Sequence, residues 1–356
     1  MINFEKKLKD RKIFVTGHTG FTGSWACLWL QKIGSEILGY SLPPHTSPSL
    51  FKSLHLDKNV NSIYGDVCNY ELIKESIIKF QPDLILHLAA QPLVSKGYEE
   101  PLKTFNTNII GTSNILEISR YVKSLKGVLC ITTDKVYKNF ELQKKYIETD
   151  SLGGVDPYSA SKSAAEIIVE SYAKSYFYDH NNFPIINVAR GGNIIGGGDW
   201  SKDRLFPDYV RSITSKNYLN IRSLLSIRPW HHVLDLVSGY FLILSNILNK
   251  KINDYNAWNL GPHENQNYTV EDILKIISDQ WEKPKINLIQ NPITETKTLT
   301  LNSDKAKKEL SWEPAWCIKQ SIELTINWYK NFYADPTKAP ELCHNDLKNW
   351  ECHNFN

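Results

Sequence analysis

Residues Lys12-Ile13-Phe14-Val15-Thr16 form a short β-rich run that breaks into Gly17-His18-Thr19-Gly20-Phe21-Thr22-Gly23, and a helix-like apolar pattern follows over 24–33. This strand, glycine turn and helix constrain the fold more than any other feature of the chain. Glycines at such a junction let the backbone turn sharply and approach a ligand closely. The helix N-terminus then offers unbonded amides to a diphosphate. The spacing is G-x-x-G-x-x-G rather than the G-x-G-x-x-G of many dinucleotide sites, so the reading rests on the strand–turn–helix setting. Gly17, Thr19, Gly20, Phe21, Thr22 and Gly23 are the expected cofactor contacts.

Further strand-like runs recur at 35–41, 83–88, 127–132, 184–189 and 257–260, with helical patterns over 70–79, 101–122 and 157–178 between them. Pro101 and Pro157 each suit a first helical turn. Strands that alternate with helices and lack polar alternation predict an α/β fold: a Rossmann-type doubly wound parallel sheet. We expect a dinucleotide-binding domain over 1–190, with a later return to it near 226–262. A smaller C-terminal α/β substrate-binding domain is expected over 191–335, and a loosely docked polar tail over 336–356. Five of the ten tryptophans lie beyond position 280. Those at 281–328 are expected to form the core of the smaller domain.

Composition narrows the function classes. Lys+Arg total 41 against Asp+Glu 38, a net charge of +3. That balance argues against a nucleic-acid partner, which demands clustered positive charge. No apolar run approaches the ~20 residues of a membrane span, and the N-terminus has no long apolar stretch after its charges. No membrane association and a cytoplasmic location are therefore expected. Six scattered cysteines without a C-x-x-C read as reduced thiols, and no metal site is expected. His87, His231 and His232 read as structural or substrate-orienting rather than as metal ligands.

The acid that usually follows the second strand and holds a ribose hydroxyl is missing, and Ser41 stands there instead. No arginine occurs between Arg11 and Arg120, which favours NAD over NADP. Asp66, followed by Val67, either accepts from an adenine amino group or closes a turn. Tyr158 and Lys162 lie one helical turn apart on one face, a pairing in which a nearby cation favours tyrosinate. Tyr70 and Lys74 match the same spacing and read as a surface pair. Context separates the two: Thr132-Thr133-Asp134 ends a strand shortly before Tyr158, and open α/β sheets hold ligands at the C-terminal ends of their strands.

The chain resembles the extended short-chain dehydrogenase/reductase family, and within it the nucleotide-sugar 4,6-dehydratases of the CDP-glucose type. The resemblance covers nearly all of 12–330. It rests on the glycine turn with Ser24-Trp25, His87-Leu88-Ala89-Ala90-Gln91-Pro92-Leu93-Val94, Thr133-Asp134-Lys135-Val136-Tyr137 and Tyr158-Ser159-Ala160-Ser161-Lys162. It also rests on Gly192-Asn193-Ile194-Ile195-Gly196-Gly197-Gly198-Asp199-Trp200 and Arg228-Pro229-Trp230. The wider group reads Thr-Asp-Glu where this chain has Thr133-Asp134-Lys135, and the lysine is what the CDP-glucose type looks like. His231 and Arg190-Gly191 depart from the Gln and Arg-Ala common at those places.

The resemblance implies a lyase with bound NAD. Tyr158 takes the C4 hydroxyl proton of the sugar as hydride leaves C4, and Thr133 orients the same oxygen. Lys162 lowers the Tyr158 pKa and holds the nicotinamide ribose. Lys135, as the free amine, removes the C5 proton. Asp134, as the acid, donates to the departing C6 hydroxyl, and hydride returns to C6. The implied product is a 4-keto-6-deoxy sugar nucleotide of deoxysugar and lipopolysaccharide biosynthesis. Leu88, Ala89, Ala90, Asn108 and Thr132 are further implied cofactor contacts. Gln91, Asn193, Asp199, Trp200, Arg204, Arg222, Arg228, Trp230 and His231 are the expected substrate contacts. Helices 101–122 and 157–178 are implied to pair in a homodimer or homotetramer. Two rival readings share these motifs: a dehydratase or C4 epimerase for another nucleotide sugar, and a catalytically silent NAD-binding regulator.

Overall fold

The computed structural model describes residues 3–140, 144–179, 183–263, 267–290 and 298–355. In chain order its strands are β1 (Lys12–Thr16), β2 (Glu36–Ser41), β3 (Asn61–Tyr64), β4 (Leu84–His87), β5 (Gly127–Thr133), β6 (Ile185–Gly191), β7 (Asn193–Ile195), β8 (Leu219–Ile221), β9 (Trp230–His232), β10 (Asn256–Leu260) and β11 (Ile286–Leu288). Seven of them form one parallel sheet in the order β10-β6-β5-β4-β1-β2-β3. The winding reverses between β1 and β4. That switch point opens a crevice at the strand C-termini, where folds of this kind place their ligands. β10 returns to the sheet beside β6, as the sequence led us to expect.

Strand pleating sorts the core into two layers. Ile13, Val15, Leu84, Leu86 and Leu129 face helices Phe21–Ile33 and Val233–Leu248. The alternate residues Phe14, Ile85, Val128 and Cys130 face helices Tyr70–Phe80, Gly111–Ser119 and Pro157–Tyr176. This double burial explains why the strands carry no polar alternation.

Beyond the main sheet, β7 pairs with β9 and β8 with β11, both in parallel. The core beneath these small sheets is rich in isoleucine: Ile195, Ile221, Ile273, Ile277, Ile318, Ile322 and Ile326. The expectation for the late tryptophans therefore fails in the main. Trp312, Trp316 and Trp328 join Trp25 and Trp29 in the large core against the main sheet. Trp281 alone of that group also packs on the isoleucine cluster.

The 336–356 segment differs from the loose polar tail expected of it. A helix, Ala339–Phe355, buries Ala339, Cys343, Leu347 and Trp350. Its polar appearance hides a stripe at helical spacing. Trp350 Nε1 donates to Asp235 Oδ1 at 2.8 Å, and Trp328 Nε1 donates to Cys343 Sγ at 3.3 Å.

On this helix Asp346 is buried, and desolvation pushes its carboxyl up to about 8. Burial likewise raises Asp235 to about 7. Unfolded aspartate loses its proton near pH ~4. The folded chain therefore binds more protons between about pH 4 and 8, and stability falls as pH rises through that window. Asp346→Asn should flatten the slope, so that its melting temperature gains on wild type from pH 5 to pH 8. Thermal melts at the two pH values check this; an unchanged difference contradicts it.

Candidate active site

The glycine turn has the backbone approach that its sequence implies. Gly17 has φ of +73°, and a Cβ there would lie 2.7 Å from Ala89 N; a Cβ at Gly23 would lie 2.2 Å from Gly17 O. At Gly20 a Cβ would meet only Gly17 O, at 3.4 Å, so that side of the turn is open. Gly20 caps the helix Phe21–Ile33 with no side-chain hydrogen bond, which leaves the amides of Phe21, Thr22 and Gly23 aimed into the crevice. The cradle fits a dinucleotide diphosphate.

At the end of β2 the missing acid is replaced by a hydroxyl pair. Thr19 Oγ1 lies 2.9 Å from Ser41 Oγ and donates to Leu42 O at 2.8 Å. Asp66 closes a turn by accepting Cys68 N at 2.9 Å, and Tyr40 OH donates to its carbonyl at 3.0 Å. Asp66 also lines a cavity with Cys68, Pro101, Asn106 and Thr107. Val67 packs against Gly111, and its carbonyl accepts Asn114 Nδ2 at 2.9 Å. Leu88, Ala89 and Ala90 are half-buried beside Gly17, across the switch point.

β5 delivers Thr133 to the same edge, and a single 3-10 turn, Asp134–Val136, presents Asp134 and Lys135 next to it. Thr133 Oγ1 donates to Asp134 Oδ1 at 2.8 Å, and Lys135 Nζ lies 3.4 Å from that oxygen. Asp134 is fully buried, and its Oδ2 has no hydrogen-bond partner among the described residues. Pro157 and the Asp156 cap start the helix Pro157–Tyr176 beside this turn. Tyr158 is buried there, and desolvation pushes its phenol up to about 12 while Thr133 and Arg204 pull the other way.

Lys162 follows Tyr158 by one turn of the helix Pro157–Tyr176. Its Nζ donates to Ile131 O at 2.8 Å, and burial lowers its pKa to about 8. The groups that favour tyrosinate here are Thr133 and Arg204. The second Tyr/Lys match is a surface pair, with Lys74 Nζ 5.3 Å from the Tyr70 ring centre.

Among the expected substrate contacts, Arg204 donates to Asp199 Oδ2 at 2.9 Å, and its charge reaches both Tyr158 and His45. Asn193 and Trp230 are register partners in the β7–β9 pair, and among the described residues neither Asn193 Oδ1 nor Trp230 Nε1, both buried, has a hydrogen-bond partner. Arg228 is buried just before Trp230, with Nη1 donating to Ile227 O at 2.9 Å. Arg222 follows β8, within electrostatic reach of Asp208.

Four residues are placed elsewhere than expected. Trp200 is wedged among Trp328, Tyr329 and Phe332 and packs the core. Gln91 spends its side chain on its own loop and the helix Pro101–Phe105: Nε2 donates to Leu93 O and Thr104 Oγ1, and Oε1 accepts Leu93 N. Thr132 Oγ1 turns inward to Glu166 Oε2 at 3.0 Å. His231 is buried with neither ring nitrogen partnered, and strand alternation puts it on the opposite face of β9 from Trp230.

The profile of the GDP-mannose 4,6 dehydratase family matches residues 14–325. The chain belongs to this family. It is 39% identical over 328 residues to the CDP-glucose 4,6-dehydratase of Salmonella typhimurium, covering 90% of this chain and 91% of that one. The dTDP-glucose 4,6-dehydratase of Bacillus anthracis, solved in complex with NAD, superposes with a TM-score of 0.75 at 25% identity, over 90% of this chain and 97% of that one. The UDP-glucose 4-epimerase of Thermotoga maritima shares the fold, with a TM-score of 0.78 at 21% identity, over 90% of this chain and 99% of that one.

In this member of the dehydratase family, sequence reasoning missed the residues beneath the site. Glu166, one turn past Lys162, is ion-paired with buried Arg190, whose Nη1 also donates to Tyr137 OH at 2.6 Å. Tyr137 OH donates in turn to Asn259 Oδ1 at 2.6 Å on β10. The helical spacing from Lys162 was the available signal. Glu166→Gln leaves the Arg190 charge buried without its anion and should cost about 3–5 kcal/mol. Urea unfolding checks this; a loss below about 1 kcal/mol contradicts the network's importance.

Proposed function

We propose that this chain is an NAD-holding CDP-glucose 4,6-dehydratase, a hydro-lyase that forms CDP-4-keto-6-deoxyglucose. The observation that carries the reading is the buried Asp134, with Oδ2 unpartnered, set between Thr133 and Lys135 and next to Tyr158. Proton transfer at C4 alone, as in an epimerase, needs Tyr158 but no second acid and base. Elimination needs both.

Each side chain then has a task. Tyr158 accepts the C4 hydroxyl proton, helped by the Thr133 hydroxyl and the Arg204 charge. Lys135, partly exposed and able to swing, takes the C5 proton that the new ketone acidifies. Asp134 Oδ2 meets the departing C6 hydroxyl. Arg204 and Arg228 suit the substrate diphosphate, since guanidinium groups bind its oxygens in pairs. Asn193 Oδ1 and Trp230 Nε1 supply an unused acceptor and donor to the nucleotide sugar. NAD, seated on the glycine turn with Thr19 and Ser41 at its ribose, supplies the hydride acceptor at C4 and the donor at C6. The cytoplasm, where nucleotide sugars are made and thiols stay reduced, is the compartment that suits six free cysteines.

The CDP assignment leans on the 39% relative and on Lys135. Purified protein given CDP-, dTDP-, UDP- and GDP-glucose should release water from the CDP sugar, read by mass spectrometry. Turnover confined to another nucleotide would overturn the assignment. Lys135→Ala should slow dehydration by about 10²–10⁴-fold; an undiminished rate removes it from the mechanism.

A second copy of the chain is the partner we propose for the helices 101–119 and 157–176. Leu102, Ile110, Tyr121, Ile167 and Tyr176 are exposed on or beside them. Combining Ile110→Glu with Ile167→Glu should turn a dimer into a folded monomer in light scattering. A monomeric wild type would contradict the pairing.

A further inference from the structure

A chain of buried hydrogen bonds runs beneath the crevice from the first strand to the proposed base. It starts at Ala89 N, which donates to Thr16 Oγ1 at 3.1 Å. Thr16 Oγ1 lies 2.8 Å from His87 Nδ1, and His87 Nε2 lies 3.1 Å from Thr112 Oγ1. Thr112 Oγ1 donates to Asn108 O at 2.8 Å. The Asn108 side chain then divides. Its Oδ1 accepts Gln91 N at 2.8 Å, and its Nδ2 donates to Gln91 O at 3.2 Å and to Ser161 Oγ at 2.8 Å. Ser161 Oγ donates to Tyr158 O at 2.7 Å.

The direction of every proton follows from the two ends. A threonine hydroxyl has a single hydrogen. Thr112 uses its own on Asn108 O, so it can only accept from His87, and Nε2 must carry the imidazole proton. Nδ1 is then an acceptor, and Thr16 donates to it while accepting from Ala89 N. The neutral ring therefore has one permitted tautomer, Nε2–H. Protonation at Nδ1 would make Thr16 turn its hydrogen away from the ring and give up the bond it donates there. Burial holds the imidazole neutral, lowering it to about 3, and the Lys162 charge acts in the same direction.

The place where this chain meets the long helix is itself irregular. Between the α-helical turns Pro101–Phe105 and Gly111–Ser119, residues Asn106–Ile110 form a π-helical turn. Such turns trade regular backbone bonding for a chosen side-chain direction and recur at functional sites. Here the π turn aims Asn108 across to both the Gln91 loop and Ser161. The bond from Thr112 to Asn108 O ties His87 to that turn.

We propose that His87, fixed as the Nε2–H tautomer, is a positioning residue that sets the π turn and, through Asn108 and Ser161, the placement of Tyr158. It touches neither substrate nor cofactor in this account. The inference rests on Tyr158 being the base of the proposed reaction, but its first test does not.

With ¹⁵N-labelled histidine, the long-range ¹H–¹⁵N spectrum of the full-length protein should show the His87 ring in the Nε2–H pattern without titration between pH 6 and 9, alongside other buried rings such as His18, His231 and His232 that also do not titrate there. His87→Gln should remove that signal and so assign it. A Nδ1–H pattern, or titration near the usual histidine range, overturns the proposal whatever the enzyme's substrate. The second test separates positioning from mere packing. His87→Gln can keep a donor toward Thr112, whereas His87→Asn keeps only a group toward Thr16. With the nucleotide sugar that the wild type turns over, His87→Asn should lose about tenfold to a hundredfold in kcat with KM little changed. His87→Gln should recover most of that loss at a similar melting temperature. Equal or reversed losses overturn the role. If neither variant folds, sequential assignment of the ¹³C,¹⁵N-labelled wild type identifies the His87 ring and decides the tautomer.

Discussion

At the switch point three backbone segments crowd together: Gly17 against Ala89, and Gly23 against Gly17. A side chain at either glycine would separate them, since the Cβ would sit inside contact distance of main-chain atoms. With them apart, the helix Phe21–Ile33 would no longer aim its N-terminus into the crevice, and Ala89 N would lose Thr16. The parallel sheet brings the ends of β1, β4 and β5 to one edge, but it is this close packing that makes the edge a site. The glycine turn, the Leu88–Gln91 loop and Thr133-Asp134-Lys135 depart from it, and the helix Pro157–Tyr176 brings Tyr158 beside them. The glycine turn follows β1, the Leu88–Gln91 loop follows β4, and Thr133-Asp134-Lys135 ends β5.

Beneath the edge, polar groups are buried in two networks rather than scattered. One runs through Thr16, His87, Thr112, Asn108 and Ser161; the other joins Glu166, Arg190, Tyr137 and Asn259. Burying such groups without partners is costly, and partnering them fixes directions. Above the edge the pattern inverts. Asp134 Oδ2, Asn193 Oδ1 and Trp230 Nε1 are buried and unpartnered. Other buried atoms, among them Asn187 Nδ2 and both His231 ring nitrogens, are also without partners among the described residues, but these three lie where the proposed substrate would sit.

What could be read from the sequence divides along physical lines. The sheet, its two layers and the return of β10 follow from apolar runs and glycine punctuation, which are local signals. The Tyr158 to Lys162 spacing and the Thr133-Asp134-Lys135 run were legible for the same reason. The errors concern residues whose partners lie far away in sequence. Trp200 follows a glycine run and looked like a pocket wall, but Trp328, Tyr329 and Phe332 claim it from more than a hundred residues on. The last helix looked like a polar tail because its buried stripe is only one face wide. No pattern in the sequence announced His87 as a link, since that depends on three elements meeting.

The central claim is that one site removes a hydride from C4, expels the C6 hydroxyl and returns the same hydride to C6. CDP-glucose deuterated at C4 tests it most directly, turned over in ordinary water together with an equal amount of unlabelled substrate carrying ¹³C. The account predicts deuterium at C6 of the ¹²C product alone, with no crossover. Deuterium retained at C4, lost to solvent or found in the ¹³C product would contradict it.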